Sequence, residues 1–323
     1  MSEFDLINKY FKSNSPSRRD VLVGIGDDCA VLQVPDNRQL VMTADTLIAG
    51  VHFPTTVAAA DIGYKALAVS LSDIAAMGGI PAWAMLAITL PVVDHNWLAD
   101  FMRGFMELAT AYNVQLIGGD TTSGPLSMTI TLTGFVTPGV MLRRDAARPG
   151  EKIYVSGSLG DAALGLQYYL QQISSTTSLN YCVSRLNRPT PRVQLGQELL
   201  AYSRCGIDIS DGLLADLSHV CRASDCAARI FLQDLPLSDE LQSFYKAKPD
   251  WCGIVAGGDD YELCFTVPAQ HQHKVSELAQ ALKLKLTCIG EIQVGSGVHC
   301  FDSIGNEVTF ETTGYNHFAK IHS

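Results

Sequence analysis

The chain has 323 residues, of which 47% are hydrophobic and 17% charged, and its formal net charge is −10. This length most often forms two domains, and this apolar fraction is typical of a globular protein with a large core. The acidic balance argues against nonspecific binding to nucleic acid, because that binding requires a basic face.

Hydrophobic periodicity predicts alternating helices and strands in the first half of the chain. Helices are predicted at 3–12, Ile62–Met77 and Asn96–Tyr112, with Asp61 as a plausible N-cap of the second helix. Strands are predicted at Val21–Val23, Ala30–Gln33, Leu40–Thr43, Trp83–Leu90, Gln115–Ile117 and Ser127–Phe135.

One apolar stretch, Ile74–Val93, is uncharged and about as long as a membrane span. However, Gly78-Gly79 is typical of a helix end, and two prolines interrupt the remainder. We therefore predict a buried helix that ends near Met77, followed by a strand, and no membrane span.

The second half of the chain also mixes helices and strands. It begins after Arg143–Gly150, a short segment with arginine, proline and glycine, so we predict two domains, 1–145 and 146–323. Helices are predicted at Ala162–Gln172, Arg192–Ser203 and Leu213–Arg222, and strands at Lys152–Ser156, Ala228–Phe231, Glu262–Val267 and Thr287–Ile289.

The nine cysteines include no C-x-x-C pair. An odd and scattered set of this kind indicates reduced thiols in a cytoplasmic protein. Most of them, such as Cys264, are expected to act as small core residues.

Aspartate and glycine occur together in five short patches, which are Gly24–Asp28, Gly118–Asp120, Gly157–Asp161, Ile207–Gly212 and Gly257–Asp260. Carboxylate oxygens are ligands for hard divalent cations, and glycine lets a phosphate approach the backbone. An acidic protein that holds a polyphosphate needs a cation between the two negative partners. The patches therefore predict a Mg²⁺-dependent phosphoryl-transfer enzyme.

Common nucleotide-binding signatures are absent from this sequence. It contains no Gly-Lys dipeptide and hence no Walker-type loop, and it lacks the H-R-D and D-F-G motifs of protein kinases. Gly157–Asp161 follows a predicted strand but lacks the full G-x-G-x-x-G spacing. It is therefore either a phosphate loop or a tight turn from strand to helix.

Two aspartates stand out by their local context. Asp73 lies in a predicted helix that is apolar on most sides, where a carboxylate is costly unless it is paired or bound to a metal. The alternative for Asp73 is a polar seam that faces solvent or a partner subunit. Asp211 is a candidate N-cap of the next helix, although a helix N-terminus is also a natural phosphate site.

The basic side chains give weaker evidence for a binding role than the aspartates. His52 has no partner at metal-type spacing. Arginine suits phosphate because its planar fork matches two oxygens. The candidate phosphate clamps are Arg143 with Arg144 and Arg188 with Arg192, and either pair can equally be a solvated surface.

Taken together and in this order, the motifs resemble those of thiamine-monophosphate kinases, from Phe4 to Phe318. The most specific blocks are Gly24–Ala30, Asp45–Leu47, Gly50–Phe53, Lys65–Asp73, Leu116–Thr122, Asp208–Leu213, Gly257–Leu263 and Gly314–Phe318. Each block alone is modest evidence, whereas the complete series is specific.

The resemblance implies an α/β (α+β) chain with the two-domain fold of aminoimidazole ribonucleotide synthetase and selenophosphate synthetase. It also implies a homodimer in which the N-terminal sheets of two subunits form a barrel. The implied reaction is direct in-line transfer from ATP to thiamine monophosphate, assisted by several Mg²⁺ ions. This reaction is the last step of thiamine diphosphate biosynthesis. The acceptor phosphate is already anionic, so no covalent nucleophile and no strong base are needed.

The resemblance also implies roles for individual residues. The metal ligands would be Asp28, Thr43, Asp45, Asp73, Asp120, Asp208, Asp211 and the backbone carbonyl of Ala44. The contacts to ATP would be Gly119, Asp120, Arg144, Ser210 and Tyr112. The contacts to the acceptor would be His52, Asp259 and Tyr315. Two positions depart from the family pattern, since Asp259 replaces the usual glutamate and Ala146 a common glycine.

Three other functions remain open at this stage. Another ATP-using synthetase of the same fold is the nearest, although no reactive N-terminal cysteine stands beside a lysine as in the selenium enzyme. A metal-dependent phosphohydrolase would consume phosphate esters without ATP. A non-catalytic sensor would bind Mg-ATP without turnover.

Overall fold

The computed structural model describes residues 6–12, 15–171, 173, 179–246 and 248–315. The chain divides into two compact units. Unit 1 contains the described residues up to Ala75 together with Gly79–Met141, and unit 2 contains Ala76–Gly78 and the described residues from Leu142 onward. Phe4 and residues 316–318, where the family motifs begin and end, lie outside the described residues.

Unit 1 is built on a four-stranded sheet and a separate two-stranded sheet. The order in the larger sheet is β3-β6-β4-β5, in which only the β4–β5 pair is parallel. The strands are β1 Val21–Val23, β2 Val31–Leu32, β3 Gln39–Ile48, β4 Ile80–Leu90, β5 Gln115–Ser123 and β6 Ser127–Val136. The helices are α1 Ala59–Ala76 and α2 His95–Ala111, and Ile7–Lys12 forms a short π-helical segment.

Strand β3 is longer than the predicted strand Leu40–Thr43, and it carries Asp45 inside the sheet. Its residues alternate in burial, with Val41, Thr43 and Asp45 partly buried and Leu47 buried, while the residues between them are exposed. The alternation is difficult to recognise in the sequence, because the run Thr-Ala-Asp-Thr is mostly polar. Pairing along the whole length of β6 provides the backbone hydrogen bonds that keep it extended.

Helix α1 is confirmed as a buried helix that ends close to Gly78-Gly79. Its last turn is closed by the N–H of Gly79, which donates to the carbonyl of Ile74 at 2.8 Å. Asp61 was wrongly predicted as the N-cap, because the helix already begins at Ala59 and Asp61 lies in its first turn. Across the described part of the chain, no helix combines the length and apolar character needed to cross a bilayer.

Unit 2 is built on a seven-stranded sheet of order β13-β12-β9-β11-β7-β10-β8. Its strands are β7 Lys152–Ser156, β8 Gly206–Asp208, β9 Ala227–Phe231, β10 Leu263–Val267, β11 Leu286–Gln293, β12 Gly297–Phe301 and β13 Glu307–Val308. Its helices are α3 Asp161–Tyr169, α4 Leu179–Asn187, α5 Val193–Leu199, α6 Leu213–Ser224, α7 Asp239–Tyr245, α8 Trp251–Ala256 and α9 Gln272–Leu282.

The core of unit 2 brings side chains of the sheet together with side chains of the helices. Val155 and Ile230 of the sheet join Leu217 of α6 and Ile254 of α8 in one buried cluster. Cys264 belongs to the same cluster, as expected for a small core residue. Both units therefore mix helix and sheet, which confirms the predicted α/β (α+β) character, whereas the barrel across a dimer stays a prediction. The sequence analysis did not predict helices α4, α7, α8 and α9. The first three are short, and few turns leave little periodicity to detect.

Candidate active site

Thr43, Asp45 and Asp73 come together in unit 1, where β3 faces α1. The hydroxyl of Thr43 donates a hydrogen bond to Oδ2 of Asp73. Ser70, one turn before Asp73 on the helix, donates from Oγ to Oδ2 of Asp45 at 2.7 Å. Thr43 and Asp45 share one face of β3 because alternate residues of a strand point the same way. The strand and the helix thus present two carboxylates and two hydroxyls to each other.

The two carboxylates repel each other. Burial, and then the charge of Asp73, raise the pKa of Asp45 to about 6, although the hydroxyl of Ser70 acts in the opposite direction. Oxygen donors with excess negative charge are the ligands that Mg²⁺ prefers. The pair therefore fits a divalent cation, whose charge would offset the repulsion.

Asp45 and Asp73 provide only two carboxylates, which are few ligands for a metal site. Within the described ranges, histidine, cysteine, aspartate and glutamate side chains nowhere gather in groups of three that could hold an ion. Mg²⁺ commonly uses only one or two carboxylates and fills its other positions with phosphate oxygens and water. The arrangement therefore suits a cation that arrives with a polyphosphate.

The pKa of Asp45 predicts how cation binding changes with pH. The folded protein holds the proton more tightly than the unfolded chain, whose carboxyl has a pKa near 3.8, so the metal-free protein loses stability as the pH rises through 6. A bound cation removes this cost, and protons compete with it below pH 6. We expect Mg²⁺ to raise the calorimetric melting temperature more above pH 6 than below it. Asp45→Asn should reduce this difference, and an equal pH response in both proteins would contradict the assignment.

The structure places Asp28, Gly119 and Asp120 on other parts of unit 1. Asp28 is exposed in the loop between β1 and β2, where its N–H donates to Oδ1 of Asp27 at 2.9 Å. Gly119 and Asp120 are exposed on β5, the edge strand opposite β3, and Asp120 pairs with Ala87 of β4. Asp28 therefore lies on a different structural element from Gly119 and Asp120.

Three further predicted residues lie on well-defined backbone in unit 1. Ala44 is exposed on β3 between Thr43 and Asp45. Tyr112 follows α2 as its C-cap, and its N–H donates to the carbonyl of Leu108. His52 is partly buried just after β3, where its Nδ1 accepts the N–H of Ile48 at 3.0 Å. A neutral histidine that accepts at Nδ1 carries its proton on Nε2, so this ring is a hydrogen-bond donor.

In unit 2, the segment from Ile209 to Gly212 connects β8 to α6. The carbonyls of residues 209, 210 and 211 accept the N–H groups of Tyr261 at 2.8 Å, Asp259 at 2.8 Å and Tyr315 at 3.0 Å. The backbone therefore brings together four residues that the sequence predicted in three different roles, which are Ser210, Asp211, Asp259 and Tyr315.

Close backbone contacts explain two glycines around this segment. A Cβ atom at Gly258 would lie 2.5 Å from the carbonyl oxygen of Ser210, and one at Gly314 would lie 2.8 Å from that of Asp211. Asp259 itself adopts φ +70°, an unfavourable conformation for a residue with a side chain. Strained backbone of this kind is concentrated at binding sites.

The N-cap alternative considered for Asp211 is not realised in the structure. The N-cap is Gly212, and no side chain caps the helix from that position. Instead Asp216, inside the first turn, accepts with Oδ2 from the N–H groups of Ser210, Asp211 and Gly212 at 3.0, 3.1 and 3.1 Å. Burial, and then the charge of Asp211, raise the pKa of Asp216 to about 7. Sequence reasoning missed Asp216, although the argument used for Asp73 applies to it, since both are carboxylates in an apolar helical context.

The other predicted residues of unit 2 differ in exposure. Asp208 is buried at the end of β8, where it pairs with Leu263. Arg144 is exposed, and its carbonyl accepts the hydroxyl of Ser224 at 2.8 Å. Its neighbour Arg143 forms a two-bond ion pair with Asp145, at 2.8 and 2.6 Å.

Arg192 is neither a phosphate clamp nor a solvated side chain. It makes two hydrogen bonds of 2.6 and 2.5 Å to the fully buried carboxylate of Glu262. Arg185 donates to the same carboxylate at 2.7 Å. The hydroxyl of Ser156 also donates to it, at 2.5 Å. These residues form a buried structural cluster.

The Gly157–Asp161 segment has the contacts of a tight turn. The N–H of Gly157 donates to the carbonyl of Lys285, and that of Leu159 donates to the carbonyl of Pro236. The N–H of Gly160 lies 3.1 and 3.0 Å from the two carboxylate oxygens of Asp260. Amides that bond within the unit are not available to a phosphate.

Both halves of the chain match known protein families. The model of AIR synthase related protein, N-terminal domain, matches residues 26–136, and that of AIR synthase related protein, C-terminal domain, matches residues 148–302. Thiamine-monophosphate kinase of Escherichia coli strain K12 is 46% identical over 319 residues, which cover 98% of each chain.

Solved structures agree with these sequence matches. Thiamine-monophosphate kinase from Stenotrophomonas maltophilia K279a is 47% identical with a TM-score of 0.86, covering 93% of this chain and 96% of that one. AaThiL complexed with AMPPCP and TMP is 31% identical with a TM-score of 0.78, covering 98% and 96%. The chain, with its Thr43–Asp45–Asp73 cluster and its hydrogen-bonded 209–212 segment, therefore belongs to the thiamine-monophosphate kinase family of AIR synthase related proteins.

Proposed function

We propose that this protein transfers a phosphoryl group from ATP to thiamine monophosphate and so forms thiamine diphosphate, the last step of its biosynthesis. The observation that carries the proposal is the convergence of Asp45 and Asp73 in a chain of this family. Two repelling carboxylates suit an enzyme that must hold anions through cations.

The reaction joins two anions, so charge compensation and alignment are the main tasks. Bound Mg²⁺ would supply neutralisation of phosphate oxygens and in-line orientation. The protein needs no covalent nucleophile, because the acceptor oxygen is already anionic. Its own residues bind, orient and screen the reactants.

We assign the residues for each unit separately. In unit 1, Asp28, Thr43, the carbonyl of Ala44, Asp45, Asp73 and Asp120 would hold the metals, Gly119, Asp120 and Tyr112 would contact ATP, and His52 would contact the acceptor. In unit 2, Asp208 and Asp211 would hold the metals, Arg144 and Ser210 would contact ATP, and Asp259 and Tyr315 would contact the acceptor.

His52 provides a test of the acceptor assignment. Its anchored ring can donate from Nε2 to an anionic phosphate, and a hydrogen bond to a charged group contributes about 1.5–3 kcal/mol. We therefore expect His52→Ala to raise the KM for thiamine monophosphate by about tenfold or more, while the KM for ATP stays within about twofold. Steady-state kinetics with each substrate varied in turn would measure both. The exposed His299 is the control, and an effect of His52→Ala confined to ATP would remove His52 from the acceptor site.

We also propose a homodimer in which the N-terminal sheets of two subunits form a barrel, with exposed apolar side chains of the unit 1 sheet at the interface. Leu40, Met42 and Ile48 of β3 and Met85 of β4 expose apolar side chains, with Met42 64% accessible. Large apolar side chains exposed together on one sheet are typical of an interaction surface. Light scattering of the purified protein tests the proposal, and a monomer at assay concentration would contradict it. The nine cysteines, six of them buried in the structure, support a reducing and hence cytoplasmic location.

The experiment that tests the activity is ADP release from Mg-ATP with and without thiamine monophosphate, with chromatography of the product. One thiamine diphosphate formed for each ADP would establish the kinase and its acceptor together. Release of phosphate from esters without ATP would instead indicate a phosphohydrolase. Binding of Mg-ATP without turnover would favour a synthetase of the same fold or a sensor.

A further inference from the structure

One carboxylate oxygen in unit 2 accepts three successive backbone amides. Asp216 is 4% exposed, and its Oδ2 takes the N–H groups of Ser210, Asp211 and Gly212. These amides belong to the segment before helix α6, whereas Asp216 lies inside the helix. Its side chain therefore reaches back and acts on residues outside its own element.

The same segment is also held by its carbonyls. Those of Ser210 and Asp211 accept the N–H groups of Asp259 and Tyr315. Asp216 and these two amides fix the backbone of the segment from both edges. Two hydrogen-bonded edges leave Ser210 and Asp211 little backbone freedom, so the directions of their Cα–Cβ bonds are fixed.

The position of Asp216 also changes what Asp211 can do. An aspartate before a helix usually accepts an amide of the first turn and serves as its N-cap. In this protein Asp216 already accepts the amides that lead into α6, and Gly212 occupies the N-cap position. Because Gly212 rather than Asp211 holds the N-cap position, the carboxylate of Asp211 is not the cap of α6 and can act as a ligand.

We propose that Asp216 is a positioning residue that keeps Asp211 and Ser210 directed toward the metal and nucleotide. The inference rests on the proposed function, because it concerns the same site. Without the Oδ2 acceptor, the three amides would lose their shared partner, the backbone that carries Asp211 would no longer be held, and a divalent cation would lose a correctly placed ligand. Asp216 itself would touch neither metal nor substrate.

Two substitutions separate the position of the acceptor from its charge. Asp216→Asn keeps an oxygen where all three amides converge but removes the charge. Asp216→Glu keeps the charge but displaces the oxygen by one methylene. The readout is a Mn²⁺ titration followed by electron paramagnetic resonance, with a non-hydrolysable ATP analogue present and no turnover required.

We expect Asp216→Asn to bind Mn²⁺ within about threefold of the wild type and Asp216→Glu to bind it about 10–100-fold more weakly, the range found for residues that orient metal ligands. Asp161→Glu is the matched control, since Asp161 is a buried carboxylate in the first turn of α3. It should lower the melting temperature through overpacking but leave Mn²⁺ binding unchanged. If Asp216→Glu does not fold, Asp216→Ser, which withdraws the acceptor, takes its place with the same expectation.

Wild-type-like Mn²⁺ affinity in Asp216→Glu, or equal losses in the Asn and Glu variants, would overturn the inference. The same holds if the control loses as much affinity as Asp216→Glu. Failure of the proposed function has a different signature, because a wild-type protein that binds Mn²⁺ and the analogue but makes no thiamine diphosphate would refute only the activity. A wild-type protein that binds no Mn²⁺ would overturn the positioning role whatever the turnover.

Discussion

Asp45→Asn is expected to lower kcat by about 10²–10³-fold and to leave the fold intact, the range seen when one group that stabilises transferred charge is removed. The asparagine side chain retains an acceptor for Ser70, so the contact between β3 and α1 survives. The substitution removes one of the two negative charges, those of Asp45 and Asp73, that favour cation binding. ADP release at saturating substrates, with circular dichroism to verify folding, would measure both effects.

Asp120→Asn is expected to have the same consequence if Asp120 on β5 also holds a metal. The matched control is Asp100→Asn on α2, whose exposed pair with Arg103 contributes little to stability. Activity like that of the wild type in both Asp45→Asn and Asp120→Asn would refute the metal assignment of unit 1.

Glu262→Gln is expected to destabilise unit 2 by about 3–5 kcal/mol, because removing one partner of a buried ion pair leaves uncompensated charge. Glu262 is fully buried and accepts from Arg185, Arg192 and Ser156. A glutamine would turn an amide N–H₂ toward these donors and leave two guanidinium groups without a counter-charge. The thermal midpoint should fall by roughly 10 °C, since each kcal/mol corresponds to about 2–4 °C in a unit of this size.

Glu291→Gln serves as the control for Glu262→Gln. Glu291 pairs with Lys152 at 2.8 Å on neighbouring strands of the same sheet, but both side chains are partly exposed. Loss of a pair of this kind costs about 0–1 kcal/mol. If thermal unfolding shows the same decrease for both variants, the buried cluster does not have the structural role assigned to it.

The order of the aspartate–glycine motifs was sufficient to predict the family. Each motif is short, but the residue types and their sequence order are properties of the chain that need no coordinates. The cost of placing a carboxylate in an apolar helix also predicted that Asp73 would be either paired or bound to a metal, and the structure pairs it with Thr43. Its role as a metal ligand stays a prediction.

The local sequence pattern was less informative about which polar groups form hydrogen bonds or ion pairs with each other. Both Arg192 and Asp211 were interpreted from their neighbours in sequence, one as a clamp or surface residue and the other as a candidate cap or phosphate site. Arg192 instead pairs with Glu262, which lies 70 residues away, and Asp211 leaves the N-cap position to Gly212 while its own N–H donates to Asp216. In both cases the local pattern did not reveal the partner that holds the residue in place.

The sequence by itself therefore determined the family, the mixed helix and sheet character, and the chemistry of the donor groups, because these depend on residue type, periodicity and order. Only the tertiary structure decided that β3 extends through Asp45, that Ser70 and Asp73 face it from α1, and that backbone bonds gather Ser210, Asp211, Asp259 and Tyr315. Buried hydrogen-bonding groups must find partners, and the folded chain offers partners from distant segments. Which partner is chosen depends on packing in three dimensions.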